Sequence, residues 1–281
     1  PELGSRNGDD SARGIEDGNL GRWCDPLLGE PGRQIGEGEI SADHPPAVRQ
    51  LTGKTPKFTE EERRYFVQAV RYVDRVTLLD EEIDRETIPL SDDIRPLTWA
   101  VMEEDDSSEK RSFCAARQIG YHVVPDADLS EVPHPPLEID EAASSQKKVL
   151  VTGCFDWFHS GHVRFFEETS ELGELYVVLG HDENVKLLKG EGHPLFPENE
   201  RRYMVQSIRY VKQALVSSGH GWMDAEPEIA LIRPDMYAVN EDGDKPEKQA
   251  FCEEHGLEYV VLKRLPKEGL PKRESTALRG F

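Results

Sequence analysis

Long apolar runs, paired cysteines and excess positive charge are all scarce in this chain, and each scarcity excludes something. No apolar stretch approaches the ~20 residues that cross a bilayer, and the amino end lacks the basic-then-apolar order of an export signal, so a cytoplasmic location is expected. The four cysteines, Cys24, Cys114, Cys154 and Cys252, lie far apart with no Cys-x-x-Cys pair, which argues against a zinc site or a disulfide framework and for reduced thiols. Lys and Arg number 34 against 55 Asp and Glu, a formal charge of -21 that opposes any long track of nucleic-acid phosphates. A small phosphorylated ligand is still compatible, because a few converging donors set the field inside a pocket. At 281 residues, with 37% apolar residues and a mean hydropathy of -0.63, the chain has room for two domains and for solvated sequence amounting to about one fifth of its length.

The chain also contains a repeat. Glu62 to Val73 matches Glu200 to Val211 at nine of twelve positions, an offset of 138 residues. The same offset aligns Ile94-Arg95-Pro96 with Ile232-Arg233-Pro234, Ala100-Val101 with Ala238-Val239, and Glu109-Lys110 and Phe113-Cys114 with Glu247-Lys248 and Phe251-Cys252. One constant register over some sixty residues indicates duplication. The expected layout is a largely disordered segment over residues 1–46, an incomplete and degenerate repeat over 47–124, a linker rich in Pro, Asp, Glu and Ser over 125–146, and a complete domain over 147–281. The surviving part of the first copy reads as helix, strand, helix, strand. An incomplete sheet exposes an unpaired edge, so this copy is expected to pack on the complete domain or on a second subunit of a homodimer.

In the complete copy, Lys148 to Gly153, Leu175 to Gly180, Asp235 to Asn240 and Glu258 to Leu262 read as short buried strands. Helical patterns lie between them, at His162 to Leu172 and at Glu198 to Val211, where Met204, Val205, Ile208 and Val211 share one face. Alternation with short connections predicts an α/β fold, a Rossmann-like doubly wound parallel sheet with its ligand at the carboxyl ends of the strands.

Gly153-Cys-Phe-Asp-Trp-Phe-His-Ser-Gly-His162 leaves the first strand and opens the first helix, so backbone N–H groups and the helix dipole face an anion. His159 and His162, three apart on a helical turn, lie on one side, and Gly161 between them permits close backbone approach. Without further context these histidines are equally well read as surface residues beside a tight turn. Cys114 and Cys252, at matching helical positions, read as core thiols.

The histidine turn, together with Gly153 and Phe155-Asp156, resembles the signature of the cytidylyltransferase-like nucleotidyltransferases. Lys189-Gly190 ahead of Glu200-Arg201, and Glu274-Ser-Thr-Ala-Leu-Arg279, are similar to two further motifs of that family in order and spacing; Glu274 replaces the family's usual small residue. The resemblance covers residues 147–281, about half the chain. It implies that His159 and His162 hold a triphosphate and stabilise the pentacoordinate α-phosphorus, that Lys189 neutralises charge there, and that Ser275, Thr276 and Arg279 bind the outer phosphates. Arg201 would be a supporting or phosphate-binding cation, Asp156 would orient the turn or the nucleotide, and Mg²⁺ would accompany the triphosphate.

Simpler roles stay open: solvated charges for Lys189 and Arg279, a plain helix cap for Ser275-Thr276, and packing for Arg201, whose counterpart Arg63 persists in a copy with no histidine turn. The loop from Asn240 to Asp244 follows a strand end and is a candidate lining of the site.

The tandem layout resembles that of phosphoethanolamine cytidylyltransferases, which implies transfer of CMP from CTP to a phosphorylated alcohol such as phosphoethanolamine or glycerol phosphate, with release of pyrophosphate. The alternatives are adenylyl transfer to a sugar phosphate and a noncatalytic nucleotide-binding protein. A class I aminoacyl-tRNA synthetase shares a similar histidine turn, but the acidic charge, the short length and the lack of a Lys-Met-Ser-Lys-Ser-like loop argue against it.

Overall fold

The computed structural model describes residues 39–43, 58–79, 84, 86–90, 96–129, 139, 145–275 and 278. Its centre is β5, Lys148–Gly153, in which Val149, Leu150 and Val151 are completely buried. A strand apolar on both faces needs cover on both sides. Val149 and Val151 pack with Phe166, Met204, Val205 and Ile208, whereas Leu150 packs with Ile229, Ile232, Phe251 and Cys252. The neighbouring strand β6, Glu174–Leu179, divides its side chains the same way, Val177 and Leu179 to the first layer and Tyr176 and Val178 to the second.

With β7, Val211–Val216, β8, Met236–Asn240, and β9, Glu258–Leu262, these strands form a parallel sheet in the order β7-β6-β5-β8-β9. The chain winds outward from β5 to β7 and then restarts on the other side at β8. This is the doubly wound α/β arrangement, and its crossover point lies between β5 and β8. The helices α3, Ser160–Ser170, and α5, Glu198–Gln206, contribute to the first layer, and α6, Glu226–Ile232, and α7, Pro246–His255, to the second. A further helix, α4, Asp182–Lys189, follows β6.

The amino-terminal part supplies two parallel strand pairs: β1, Glu39–Asp43, with β2, Arg75–Leu79, and β3, Thr98–Met102, with β4, Gly120–Val124. It also supplies helices α1, Glu60–Gln68, and α2, Ser108–Arg117. The bounds of α1, β3, α2 and β4 each recur 138 residues later as those of α5, β8, α7 and β9. The two related segments meet about a local two-fold. Val70 bridges Ile208 antiparallel, Arg71 N donates to Ser207 O at 2.8 Å, and Arg209 N donates to Ala69 O at 2.8 Å. The Arg71 guanidinium donates to the carbonyls of Ile208 and Val211, and that of Arg209 to those of Val70 and Val73, positions related by the same offset.

Three expectations change. The helix read from Glu198 to Val211 stops at Gln206: Ile208 and Val211 are buried by the bridge to Val70 and by the start of β7, so an apolar spacing that suits a helix is produced here by tertiary pairing. Among the described residues the amino-terminal segment runs α1, β2, β3, α2, β4, one strand more than the helix, strand, helix, strand read from the sequence. β1 lies inside the segment read as unfolded; Glu-Ile-Ser-Ala-Asp alternates polar and apolar residues, which suffices for a strand once β2 offers a ladder. The rest of residues 1–46, and most of the 125–146 linker, lie outside the described residues.

Candidate active site

A cavity of about 490 Å³ opens at the carboxyl ends of β5 and β8, where the crossover rule places a ligand. Gly153, Phe155, Asp156, His162, Lys189 and Ser275 line it, as does the strand-end loop at Asn240, Asp242 and Gly243. Thr276 and Arg279 lie outside the described residues.

The turn from β5 to α3 is tightly built. Phe155 takes φ of +51°, and a Cβ on Gly153 would stand 2.8 Å from its ring, so the bare glycine allows the ring to fold back over the strand end. His159 is the N-cap of α3. Its Nδ1 accepts from Gly161 N at 3.1 Å, while His162 Nδ1 accepts from His159 N at 3.4 Å. A Cβ at Gly161 would come within 2.9 Å of the His159 ring, so only glycine leaves that ring in place. The two imidazoles stack with centroids 4.0 Å apart, and Phe158 stacks on His162 at 5.2 Å.

This geometry fixes the chemistry of the pair. A ring nitrogen that accepts is unprotonated, so in each neutral imidazole the proton sits on Nε2. Burial, assisted by the charges of Arg264 and Arg273, pushes the His159 pKa down to about 4. Burial, then His159, Arg264 and Lys189, holds His162 well below its ordinary value. Both are neutral Nε2–H donors at pH 7. Among the described residues His159 Nε2 is buried without a hydrogen-bond partner, and His162, not His159, lines the cavity.

The depressed values make stability pH-dependent. The unfolded histidines take up protons near pH 6.5, while folded His159 resists to about pH 4 and folded His162 is also held well below 6.5, so stability is full above 6.5 and falls as pH drops below it. The expected slope is about 1.4 kcal/mol per pH unit for each histidine. Thermal unfolding of the ligand-free chain between pH 7 and 4.5 measures it, and a His159→Gln variant should lose about one proton's share of the slope.

The other expected residues fall into two groups. Asp156 is buried, and its Oδ1 accepts from Leu195 N at 2.7 Å and Phe196 N at 3.0 Å, so it anchors the loop after Lys189. Arg201, fully buried, donates to the carbonyls of Phe196, Cys154 and Gly180 at 2.9, 2.7 and 2.8 Å and to Asp182 at 2.7 Å. It ties together the three loops around the cavity and does not line it. Arg63, 138 positions earlier, donates to Phe58 O at 2.9 Å, the position that matches Phe196. Cys114 and Cys252 are core thiols, with burial raising both pKa values.

Several site residues were not anticipated. Lys248 lines the cavity with its pKa lowered by burial, then by Lys245. Arg264 and Arg273 stand behind the histidine turn on a strap, residues 263–273, with Arg264 donating to Arg273 O at 3.0 Å and pairing with Asp242. A run of five cations in an acidic chain, directly before the Glu274-Ser275 motif, was the available signal.

A doubly wound sheet with a histidine turn opening its first helix at the crossover point is the arrangement expected of a nucleotidyltransferase, and the relatives of this chain are nucleotidyltransferases. Residues 150–267 match the cytidylyltransferase-like family, and this chain belongs to that family. It is 37% identical over 125 residues to the FAD synthase of Aciduliprofundum boonei, covering 43% of this chain and 80% of that protein. It is 33% identical over 135 residues to that of Methanocella paludicola, covering 47% and 93%, and 38% identical over 97 residues to that of Ferroglobus placidus, covering 34% and 60%. No helix among the described residues is long and apolar enough to cross a membrane.

Proposed function

We propose that the chain transfers AMP from ATP to a phosphorylated acceptor, FMN first among candidates, releasing pyrophosphate and forming FAD. The observation that carries nucleotidyl transfer is the His159–His162 pair stacked at the amino end of α3, with His162 in the wall of the cavity at the crossover point. The choice of ATP rests on the FAD synthase relatives, and it replaces the CTP preference drawn from the tandem layout.

An anionic phosphate oxygen of the acceptor bonds to the α-phosphorus as the bond to the bridging oxygen breaks and pyrophosphate leaves with the electron pair. The acceptor needs no base, so the protein aligns the reactants and absorbs charge. The two Nε2–H groups would donate to phosphate oxygens, the α3 amino terminus and Lys189 would offset their charge, and Ser275, with Thr276 and Arg279 beyond it, would hold the outer phosphates. Magnesium would arrive with the triphosphate, bound mainly by phosphate oxygens and water, and would supply charge neutralisation. Among the described residues no group of three or more His, Cys, Asp or Glu is placed to hold a metal. The complete domain at residues 147–281 would carry this chemistry, and the related amino-terminal segment would be a degenerate duplicate.

The test is product analysis with Mg²⁺ and either ATP or CTP, against FMN, phosphoethanolamine, phosphocholine, glycerol phosphate and sugar phosphates. FAD and pyrophosphate in equal amounts from ATP and FMN are expected. A CDP-alcohol from CTP would restore the phospholipid-precursor reading.

A further inference from the structure

Glu62 belongs to α1, in the segment without a histidine turn, yet its side chain is 2% exposed and committed to the active site of the complete domain. Thr59 caps α1 by accepting from Glu62 N at 3.2 Å, and a Thr-x-x-Glu spacing ordinarily returns the Glu carboxylate to its own cap. Here the carboxylate crosses to the other copy. Oε1 accepts from Ser160 Oγ at 2.6 Å, a buried hydrogen bond to the residue between His159 and Gly161. The same carboxylate takes Arg273 through Nε at 2.9 and 3.1 Å and through its terminal nitrogen at 2.6 Å.

Arg273 lies two residues before Ser275, and its carbonyl holds Arg264. One carboxylate therefore joins the histidine turn to the strap that delivers the last phosphate-facing motif. A buried charge is tolerated only when paired and hydrogen-bonded on all sides, and such a pair fixes geometry more than it adds stability. We propose that Glu62 is a positioning residue for nucleotidyl transfer, setting the distance between the His159–His162 donors and the Ser275 segment, so that the amino-terminal segment completes the active site. This rests on the triphosphate occupying the cavity as proposed above.

Three single variants of the full chain test it, read by calorimetric binding of magnesium ATP without acceptor, by kcat, and by Tm. Glu62→Gln keeps the shape but loses the charge that holds Arg273; it should weaken ATP binding about tenfold and lower kcat by ten- to a hundredfold, the scale of a small misplacement of reacting groups. Ser160→Ala should give part of the same loss, and the double variant less than the product of the two, because the pair acts as one unit. Tyr65→Phe, on the same helix with its hydroxyl on Glu167, should stay within twofold of wild type. Should Glu62→Gln fail to fold, Ser160→Ala carries the decision. Absence of binding of either magnesium ATP or magnesium CTP by the wild-type chain would defeat the triphosphate reading itself. A folded Glu62→Gln or Ser160→Ala chain with lowered Tm but unchanged affinity and kcat would overturn the inference and leave the contact merely structural.

Discussion

Replacing His162 with alanine is expected to lower kcat by about 10²- to 10³-fold, the range for removing one preorganised donor to a transition state. The His162 ring has its Nδ1 tied to the His159 backbone and its pKa held far down, so the group at the cavity wall is a neutral N–H with a fixed direction. A donor of that kind aids bond formation at phosphorus without exchanging its proton. The pH profile of kcat should therefore be flat from about 5.5 to 8 as far as the histidines are concerned, where an acid or base titrating near its ordinary value would give a limb near 6.5. Gln, which can present an N–H at similar reach, should recover part of the loss. Alanine would leave triphosphate affinity less changed than turnover, since the donor is expected to matter most as charge develops.

The second large effect is on stability. Arg201→Ala should destabilise the folded chain by about 3–5 kcal/mol, because it removes a fully buried guanidinium and leaves several acceptors without their donor, at about 1–3 kcal/mol for each buried one. Three carbonyls, of Cys154, Gly180 and Phe196, lose their donor together with Asp182. These sit in the loop after β5, the loop after β6 and the loop after α4, so loss of the guanidinium should loosen all three. Denaturant unfolding measures this directly. A phosphate-binding arginine would behave in the opposite way, leaving stability nearly intact and raising the Kd for the triphosphate.

Much of this was legible in local patterns. The strands β5, β6 and β8 were readable within a residue because a strand buried on both faces is a continuous apolar run, and the histidine turn announced itself by following the first of them; β9, read as a buried strand, is instead the sheet edge with Val261 45% exposed, and its β-rich run marked its bounds. What escaped depends on contacts distant in sequence. Val211 to Val216 follows Ile208 at a spacing that fits a helix, and only the bridge to Val70 ends α5 early and frees β7 to pair with β6. The function of Glu62 was hidden for the same reason: its spacing from Thr59 spells a local cap, whereas its carboxylate spans 98 positions to Ser160 and 211 to Arg273. Lys248 was visible only as a repeated position. Its counterpart Lys110 is buried and lies over Trp99 at 5.9 Å, as half-buried Lys248 lies over Tyr237 at 5.8 Å, so the repeated position reported packing and the cavity alone reveals access to a ligand.

The central claim is that triphosphate chemistry occurs at the His159–His162 turn. Its most direct test is pyrophosphate release by the full chain and by His162→Ala, side by side, with Mg²⁺, ATP or CTP, and the acceptor panel. The account predicts release from one nucleotide and acceptor pair, with FMN and ATP foremost, falling at least a hundredfold in the variant. Release that survives undiminished in a folded His162→Ala chain, or no release from any pair by a wild-type chain that does not bind either nucleotide, would contradict it.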